Sequence, residues 1–260
     1  MYSPHSRLGW NRRARGGDEL KTENFLRGRR GIQLAVPERQ ALELGLSEPR
    51  LAPARQTLIR RGENVSQSTL LVAGYVGRYM EDREGERQLV ALHLPGDFVD
   101  LHAFPLQHLD HDVVAISDVA VATISHAALT AITAELPHLT RMLWFSTLLD
   151  AAMHREWIFR LGRLDGPGRV AHLMCETALR LAAIGIGDGR EFPLPINQGD
   201  IAAACGLTNV HVSRVLKSLR DTNLLAVQGN QVTLLDPAAL RRIGEFDPQY
   251  LYLHDGVSTP

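Results

Sequence analysis

The stretch NQGDIAAACGLTNVHVSRVLKSLRDTNLLAVQGNQVTLLD, from Asn197 to Asp236, constrains this chain more than any other. It reads as two short helices joined by a tight turn and followed by a small hairpin. The side-chain oxygen of Asn197 can accept from an orphan backbone N–H at a helix start, and Asp200 puts a negative charge in the first turn, where the helix dipole favours it. Ile201, Ala204 and Cys205 then form an apolar stripe, and small Ala202 and Ala203 permit close packing. Gly206 stands where the chain must reverse, because a residue without Cβ takes the left-handed conformation at little cost. Thr208 caps the second helix, whose Val212, Val215, Leu216 and Leu219 recur at helical spacing on one face.

Opposite that face lie Val210, Ser213, Arg214 and Lys217, with Asn209 and His211 near the N-terminal end. Taken alone, Arg214 and Lys217 would be ordinary solvated charges. Their setting changes the reading, because a helix with a short-polar and cationic outer face, docked rigidly on a partner helix, suits a major groove. The whole succession of cap, small-residue helix, glycine turn, cap, polar–basic helix and hairpin predicts a winged helix-turn-helix, with double-stranded DNA as its partner.

A chain of 260 residues, 45% hydrophobic and 22% charged, has room for two small domains or one large one, each with its own core. The formal net charge of -1 does not advertise nucleic acid, but a DNA reader needs only a local basic surface. Two cysteines, Cys175 and Cys205, are too few for a disulfide framework or a cysteine-ligated iron–sulfur cluster within one chain, and they fit a reducing cytoplasm. No apolar leader is legible at the N-terminus. The least charged stretch, Val113 to Ala134, is broken by Ser117, Asp118, Thr123, Ser125 and His126, so no membrane span is expected and the location is read as cytoplasmic.

Residues 1–34 are rich in Arg and Gly (Arg12, Arg13, Arg15, Gly16, Gly17, then Arg27 to Gly31) and carry no period, which reads as a basic, poorly ordered arm. Residues 35–136 show short strands, at Gln56–Ile59, Thr69–Val76, Arg78–Glu81, Arg87–Leu94, Val113–Ile116 and Ala120–Ile124, separated by turn signals. That spacing predicts a compact antiparallel roll. A short helix over Ala127–Ala134 comes next, then a long one over 137–165. Met142, Phe145, Leu149 and Ala152 give the long helix one stripe, and Trp144, Leu148 and Ala151 give it a second. A helix apolar on two sides needs two partners, and a second copy of itself is the economical answer. Gly166-Pro167-Gly168 reads as a hinge, residues 166–245 as the reader domain, and 246–260 as a tail whose Tyr250 and Tyr252 pack somewhere. Gly185, Gly187 and Gly189 lack the preceding strand and following helix of a phosphate loop, so they read as a loop only.

A β-roll, a long helix, a Gly-Pro-Gly break and a winged helix-turn-helix in this order resemble the Crp/Fnr family of bacterial transcription regulators. The resemblance covers about Pro37 to Leu240. Its marks are the Gly-Asp-Phe of LHLPGDFVD (Leu92 to Asp100) and, more specifically, GLTNVHVSRVLKSLRDTNLL (Gly206 to Leu225) with the pair Ser213-Arg214. It implies an α+β fold: an N-terminal double-stranded β-helix like those that bind cyclic nucleotides, a dimerisation helix and a C-terminal winged helix-turn-helix. It also implies a homodimer on a near-palindromic operator, with RNA polymerase as a further partner if the protein activates. Carried over by position, Arg214 is the main base reader, bidentate to guanine, with Ser213 and Asn209 on base edges or adjacent phosphates. Thr208 and Gln198 hold phosphates at helix N-termini, and Lys217 and His211 add phosphate contacts. Many members carry a glutamate at the position of Val210; valine accepts no hydrogen bond but can pack on a thymine methyl.

The resemblance also implies a sensor, and here the residues speak mainly in the negative. Cyclic-nucleotide-binding members supply a glutamate to the ribose and an arginine to the phosphate, since a buried anion needs a paired cation. Leu101 stands at the glutamate position and no Lys or Arg occurs from Gln88 to Thr140, which argues against cyclic AMP. His93, His102, His108 and His111 with Asp100, Asp110 and Asp112 suggest instead a metal or haem, hence a redox- or gas-sensing regulator. Alternatively the roll binds nothing and serves dimerisation. A cupin-like metalloenzyme is the remaining alternative; it needs histidines closely spaced on one strand with a carboxylate, which His102-Ala103-Phe104 and His108-Leu109-Asp110-His111 do not supply. No nucleophile–base set is legible, and no enzymatic activity is expected.

Overall fold

The computed structural model describes residues 20–254. It divides into two compact units. The first comprises residues 20–27, Ile32–Met80 and Leu92–Leu148; the second comprises Gly28–Gly31, Glu81–Ala91 and residues 149–254. The fold is α+β as expected.

In chain order the first half runs α1 (Val36–Gly45), β1 (Arg50–Ala52), β2 (Thr57–Ile59), β3 (Gln67–Ala73), β4 (Val76–Glu81), β5 (Arg87–His93), α2 (Ala103–Leu106), β6 (Asp112–Ala115), β7 (Val119–Ser125), α3 (His126–Glu135) and α4 (Pro137–Arg163). The strands form an antiparallel roll of two sheets, ordered β1-β7-β3 and β2-β6-β4-β5. Strand alternation sends the two faces of β7 into different cores. Val119 and Val121 join Leu71, Val76, Val113 and Ala115 inside the roll. Ala122 and Ile124 join Leu70 on the other face, where Leu42 of α1, Leu129 of α3 and Leu139 and Leu143 of α4 cover them. Gly74 turns β3 into β4 at φ +88, and a Cβ there would collide with the Asp118 carbonyl.

Two expectations for this part need correction. The stretch expected to be strands and turns throughout, with a first strand at Gln56–Ile59, opens with helix α1. The Glu38 carboxylate accepts from the Ala35 N–H at 2.8 Å, and a proline occupies the first turn, a start signal that the short strands downstream obscured. Residues 20–34 do not behave as a poorly ordered arm: Thr22, Phe25, Leu26, Arg29 and Leu34 are buried. The stretch is built of turns, which leave no period to read. Arg12, Arg13, Arg15, Gly16 and Gly17 lie outside the described residues.

The remainder of the chain runs α5 (Gly166–Ala183), β8 (Glu191–Pro193), α6 (Gln198–Cys205), α7 (Asn209–Asp221), β9 (Leu225–Gln228), β10 (Gln231–Leu234) and α8 (Pro237–Ile243), closing on a 3₁₀ turn, Pro248–Leu251. The three strands form one antiparallel sheet, β8-β10-β9. The third correction concerns Gly166-Pro167-Gly168, which is not a free hinge but the first turn of α5. Asp165 accepts from the Gly168 N–H at 2.9 Å, and only Leu164 and Asp165 separate α4 from α5. Of the two tail tyrosines expected to pack, Tyr250 does, its hydroxyl donating to Glu176 at 2.7 Å, whereas Tyr252 is exposed; Phe246 and Leu251 are buried, and Arg29 of the short Gly28–Gly31 segment pairs with Leu253.

Candidate nucleic-acid interface

Helix α6 opens on a reciprocal capping box. The Asp200 N–H donates to the Asn197 side chain and the Asn197 N–H to the Asp200 carboxylate, both at 2.9 Å. It ends at Gly206 with φ +60, the left-handed turn that a side chain would strain. Thr208 then caps α7, its Oγ1 accepting from the His211 N–H at 3.2 Å. Val212, Val215, Leu216 and Leu219 bury one face of α7, and Val212 and Leu219 are nearly inaccessible. The helix is therefore fixed in rotation, and the opposite face is determined by exclusion.

That outer face carries Asn209, Val210, Ser213, Arg214 and Lys217, all exposed; Val210 is 61% exposed, a large apolar side chain with no intramolecular partner face. Thr208, Val210, His211, Arg214 and Ser218 line a shallow hollow of about 400 Å³ together with Pro167. The His211 ring lies against Gly166, where an added Cβ would come within 2.8 Å of Nε2. Gln198 stands exposed in the first turn of α6. A Cβ on the adjacent Gly199 would lie 3.7 Å from the Asn209 side-chain oxygen, so the N-terminal ends of α6 and α7 are neighbours. Two helix N-termini side by side make a local anion-attracting region. The residues singled out from the sequence thus fall on one surface: Gln198 and Thr208 at the helix starts, the rest along α7.

Two family matches correspond to the two halves of the chain: a cyclic nucleotide-binding domain over residues 49–135 and a Crp-like helix-turn-helix domain over residues 168–243. The transcriptional activator protein FnrL of Cereibacter sphaeroides is 31% identical over 183 residues, covering 68% of this chain and 72% of the relative. The chain belongs to the Crp/Fnr family of transcriptional regulators. The fumarate and nitrate reduction regulatory protein of Escherichia coli K12 is 26% identical over 188 residues, 72% of this chain and 75% of the relative. Among solved structures, FixK2 of Bradyrhizobium japonicum superposes with a TM-score of 0.69 at 25% identity, over 75% of this chain and 96% of that one. The family consists of DNA-binding regulators rather than enzymes, and its helix-turn-helix members act as dimers on DNA.

The roll's candidate sensor residues have partners within the fold. Asp100, fully buried, accepts from the Thr69 N–H at 2.5 Å and from Thr69 Oγ1 at 3.0 Å, and burial pushes its carboxyl up to about 7. Arg78 on β4, which sequence reasoning missed, is the buried cation of the roll. Its Nε donates to the Val99 carbonyl at 2.8 Å and its Nη2 lies 3.4 Å from His102 Nδ1. The His102 ring lies 5.3 Å from that of His111, whose Nδ1 is 2.7 Å from Asp110. His93 sits 3.8 Å from Asp97, and Asp112 accepts from the Arg61 N–H. Exposed His108 pairs with Asn64 through the backbone. Among the described residues no three His, Cys, Asp or Glu side chains converge on a point that could hold a metal ion.

A cyclic nucleotide does not fit this donor set. Leu101, at the position where the resemblance to cyclic-nucleotide-binding members calls for a carboxylate, is buried in the apolar core, and the Arg78 guanidinium donates to the Val99 carbonyl and lies against His102. Nor does a four-thiolate iron–sulfur cluster fit. Cys175 and Cys205 are buried free thiols on α5 and α6, and burial pushes the Cys175 thiol up to about 12. Among the described residues no helix is long and apolar enough to cross a membrane.

Proposed function

We propose that this regulator binds a near-palindromic operator as a homodimer, reading each half-site through the outer face of α7, and that it answers to a signal other than cyclic AMP. The observation that carries the reading is the exposed row Asn209, Val210, Ser213, Arg214 and Lys217 on a helix whose other face is locked by Val212, Val215, Leu216 and Leu219. Arg214 is the base reader, its planar fork matching guanine O6 and N7. Ser213 and Asn209 contact base edges, and Val210 packs on a thymine methyl, so the half-site differs from that of glutamate-bearing members at this position. Thr208, Gln198, Lys217 and His211 hold phosphates. The Thr208 hydroxyl can donate to a phosphate oxygen while its lone pair accepts from the His211 N–H. FnrL is a transcriptional activator, and the same role with RNA polymerase as partner is the reading adopted for this chain.

Dimerisation rests on the outer side of α4. Trp144, Leu148, Ile158 and Phe159 are exposed there, Trp144 by 64% and Ile158 by 71%. Their spacing of four, then ten, then one keeps them along one side of a helix, as a coiled-coil seam requires. The signal answered to in place of cyclic AMP is a different ligand of the roll or the amount of protein itself. Selection of bound duplexes from a random library tests the core of this reading. The expected product is a two-fold symmetric consensus; a consensus without two-fold symmetry would overturn the dimer.

A further inference from the structure

Arg160, on the last turns of α4, is wholly buried. Its guanidinium lies over the Trp157 ring, 4.2 Å from the centroid, and its Nη2 donates to the Ala204 carbonyl of α6 at 2.7 Å. Nε and Nη1 make no hydrogen bond to any described residue. The carboxylate that would naturally pair with it is already occupied. Glu176 accepts from Trp157 Nε1 at 3.1 and 3.2 Å, from Arg180 Nη1 at 3.2 Å and from the Tyr250 hydroxyl at 2.7 Å. Burial would raise the Glu176 carboxyl, but the charges of Arg180, His172 and Arg160 and the Tyr250 hydrogen bond outweigh it and hold it low. Arg160 therefore spends its one direct hydrogen bond outside its own helix.

The target of that bond is informative. The last carbonyls of a helix have no intrahelical partner, and the negative end of the dipole lies there. Arg169 of α5 reaches the same end one residue further on, its Nη1 3.1 Å from the Cys205 carbonyl and 3.5 Å from that of Gly206. Two guanidinium groups from two different helices thus hold the C-terminal end of α6, the element against which α7 is packed. Buried ionic groups replaced as a whole by apolar side chains of similar volume often leave a protein as stable or more so, and the best-attested use of such groups is to fix one geometry among several. An apolar residue would fill the same space beside Trp157, but only a donor of this reach specifies where the Ala204 carbonyl must sit.

We propose that Arg160 is a positioning residue for DNA reading: it locks α6, and with it α7, at one orientation against the end of α4, so that the dimer reads half-sites at one spacing only. The inference rests on the dimeric, α7-reading function proposed above. Arg160 touches no DNA; it acts through Ala204.

The test uses the full chain and three kinds of duplex: the palindrome that the wild-type protein selects from a random library, the same palindrome with one base pair inserted or removed at its centre, and a single half-site. Wild-type protein is expected to bind the palindrome tightly and to lose affinity when the spacing changes. Arg160→Met should shrink that spacing penalty to within about threefold, while the preference at the base pair read by Arg214 is retained. Arg160→Lys, which keeps a cation able to approach Ala204, should restore much of the penalty. Retention of the full wild-type spacing penalty by Arg160→Met would overturn the inference, as would an equal loss on all duplexes including the half-site. Circular dichroism reports whether Arg160→Met folds. If it does not, Arg160→Gln, a polar side chain too short to reach the Ala204 carbonyl from the same backbone position, is read on the same duplexes with the same two overturning outcomes, Arg160→Lys then being the reference for rescue. Failure of the wild-type protein to select any two-fold sequence would remove the underlying reading and this inference together, whereas the other failures remove this inference alone.

Discussion

Helices α4 and α7 are both amphipathic, and both leave one face exposed, but the exposed chemistry is opposite. Along α4 the outward residues are Trp144, Leu148, Ile158 and Phe159; along α7 they are Asn209, Ser213, Arg214 and Lys217, with Val210 the one apolar side chain. An apolar outer stripe lowers its free energy by losing water to another apolar surface, in proportion to the area covered. A short-polar and cationic stripe gains by exchanging water and counterions for phosphates and base edges. Helix periodicity alone does not distinguish the two, because each has a well-formed buried face. What a helix leaves outside points to the kind of partner it suits: on the function proposed above, a second copy for α4 and a polyanion for α7.

Salt should separate the two surfaces most strongly. If α7 and the adjacent helix starts contact six or more phosphates per dimer, affinity for the operator should fall by about 10³-fold or more between 50 and 200 mM salt. The dimer, held by apolar burial, should weaken far less over the same range. Parallel titrations of DNA binding by anisotropy and of dimer dissociation by sedimentation measure both. A dimer that dissociates as steeply with salt as the DNA complex would mean that charge, not the Trp144–Phe159 face, holds it together.

The next largest effect is expected from charging the apolar face. Trp144→Glu combined with Ile158→Glu leaves the buried side of α4 untouched, since both residues point outward. The variant should fold as a monomer and lose about 10²-fold or more in affinity for a palindrome, because the second half-site no longer benefits from linkage to the first. Affinity for a single half-site should hardly change. Should the double variant still sediment as a dimer, the pairing surface lies elsewhere.

How far these two faces could be foreseen from the sequence differs for a physical reason. The reader is local: the Asn197 and Thr208 caps, the Gly206 reversal and the stripe from Val212 to Leu219 are all set by neighbours within a few residues, and each is found where the pattern put it. Of the outer stripe of α4, Trp144 and Leu148 were legible for the same reason, whereas Ala151, named with them, is half-buried and the exposed Ile158 and Phe159 were not singled out. What could not be read depends on contacts distant in sequence. Phe25 and Leu34 pack beside Leu129 and Leu143, so a stretch without period is nonetheless ordered. Arg78 and Asp100 come from separate segments of the roll, and the arginine lies on β4, upstream of the stretch from Gln88 to Thr140 that carries no Lys or Arg. The tail offered Tyr250 as an aromatic in need of a partner but not Glu176 as that partner, 74 residues away. Gly166-Pro167-Gly168 misled in the opposite direction, because glycine and proline are helix breakers in an interior but tolerated in a first turn, where Asp165 supplies the cap.

Within α7 itself two substitutions sharpen the contrast between specifying and merely attracting. Arg214→Ala should cost about 1–3 kcal/mol and relax discrimination at one base pair of each half-site. Measured against wild-type and base-substituted duplexes, a loss uniform across sequences would show that Arg214 contacts phosphate, and the assignment of the base reader would be wrong.

Lys217→Ala is the smallest effect and the cleanest control. Lys217 lies one turn beyond Ser213 and three residues beyond Arg214, exposed along the same face. A lysine is a flexible point charge without the planar fork that matches a base edge, so its role is to neutralise phosphate. Its removal should weaken binding to operator and to unrelated duplex by the same factor and reduce the salt slope by about 1 for each half-site. Sequence preference should stay as in the wild-type protein. A change in preference at any base pair would put Lys217 among the readers and extend the specifying part of α7 by a turn beyond the row from Asn209 to Arg214.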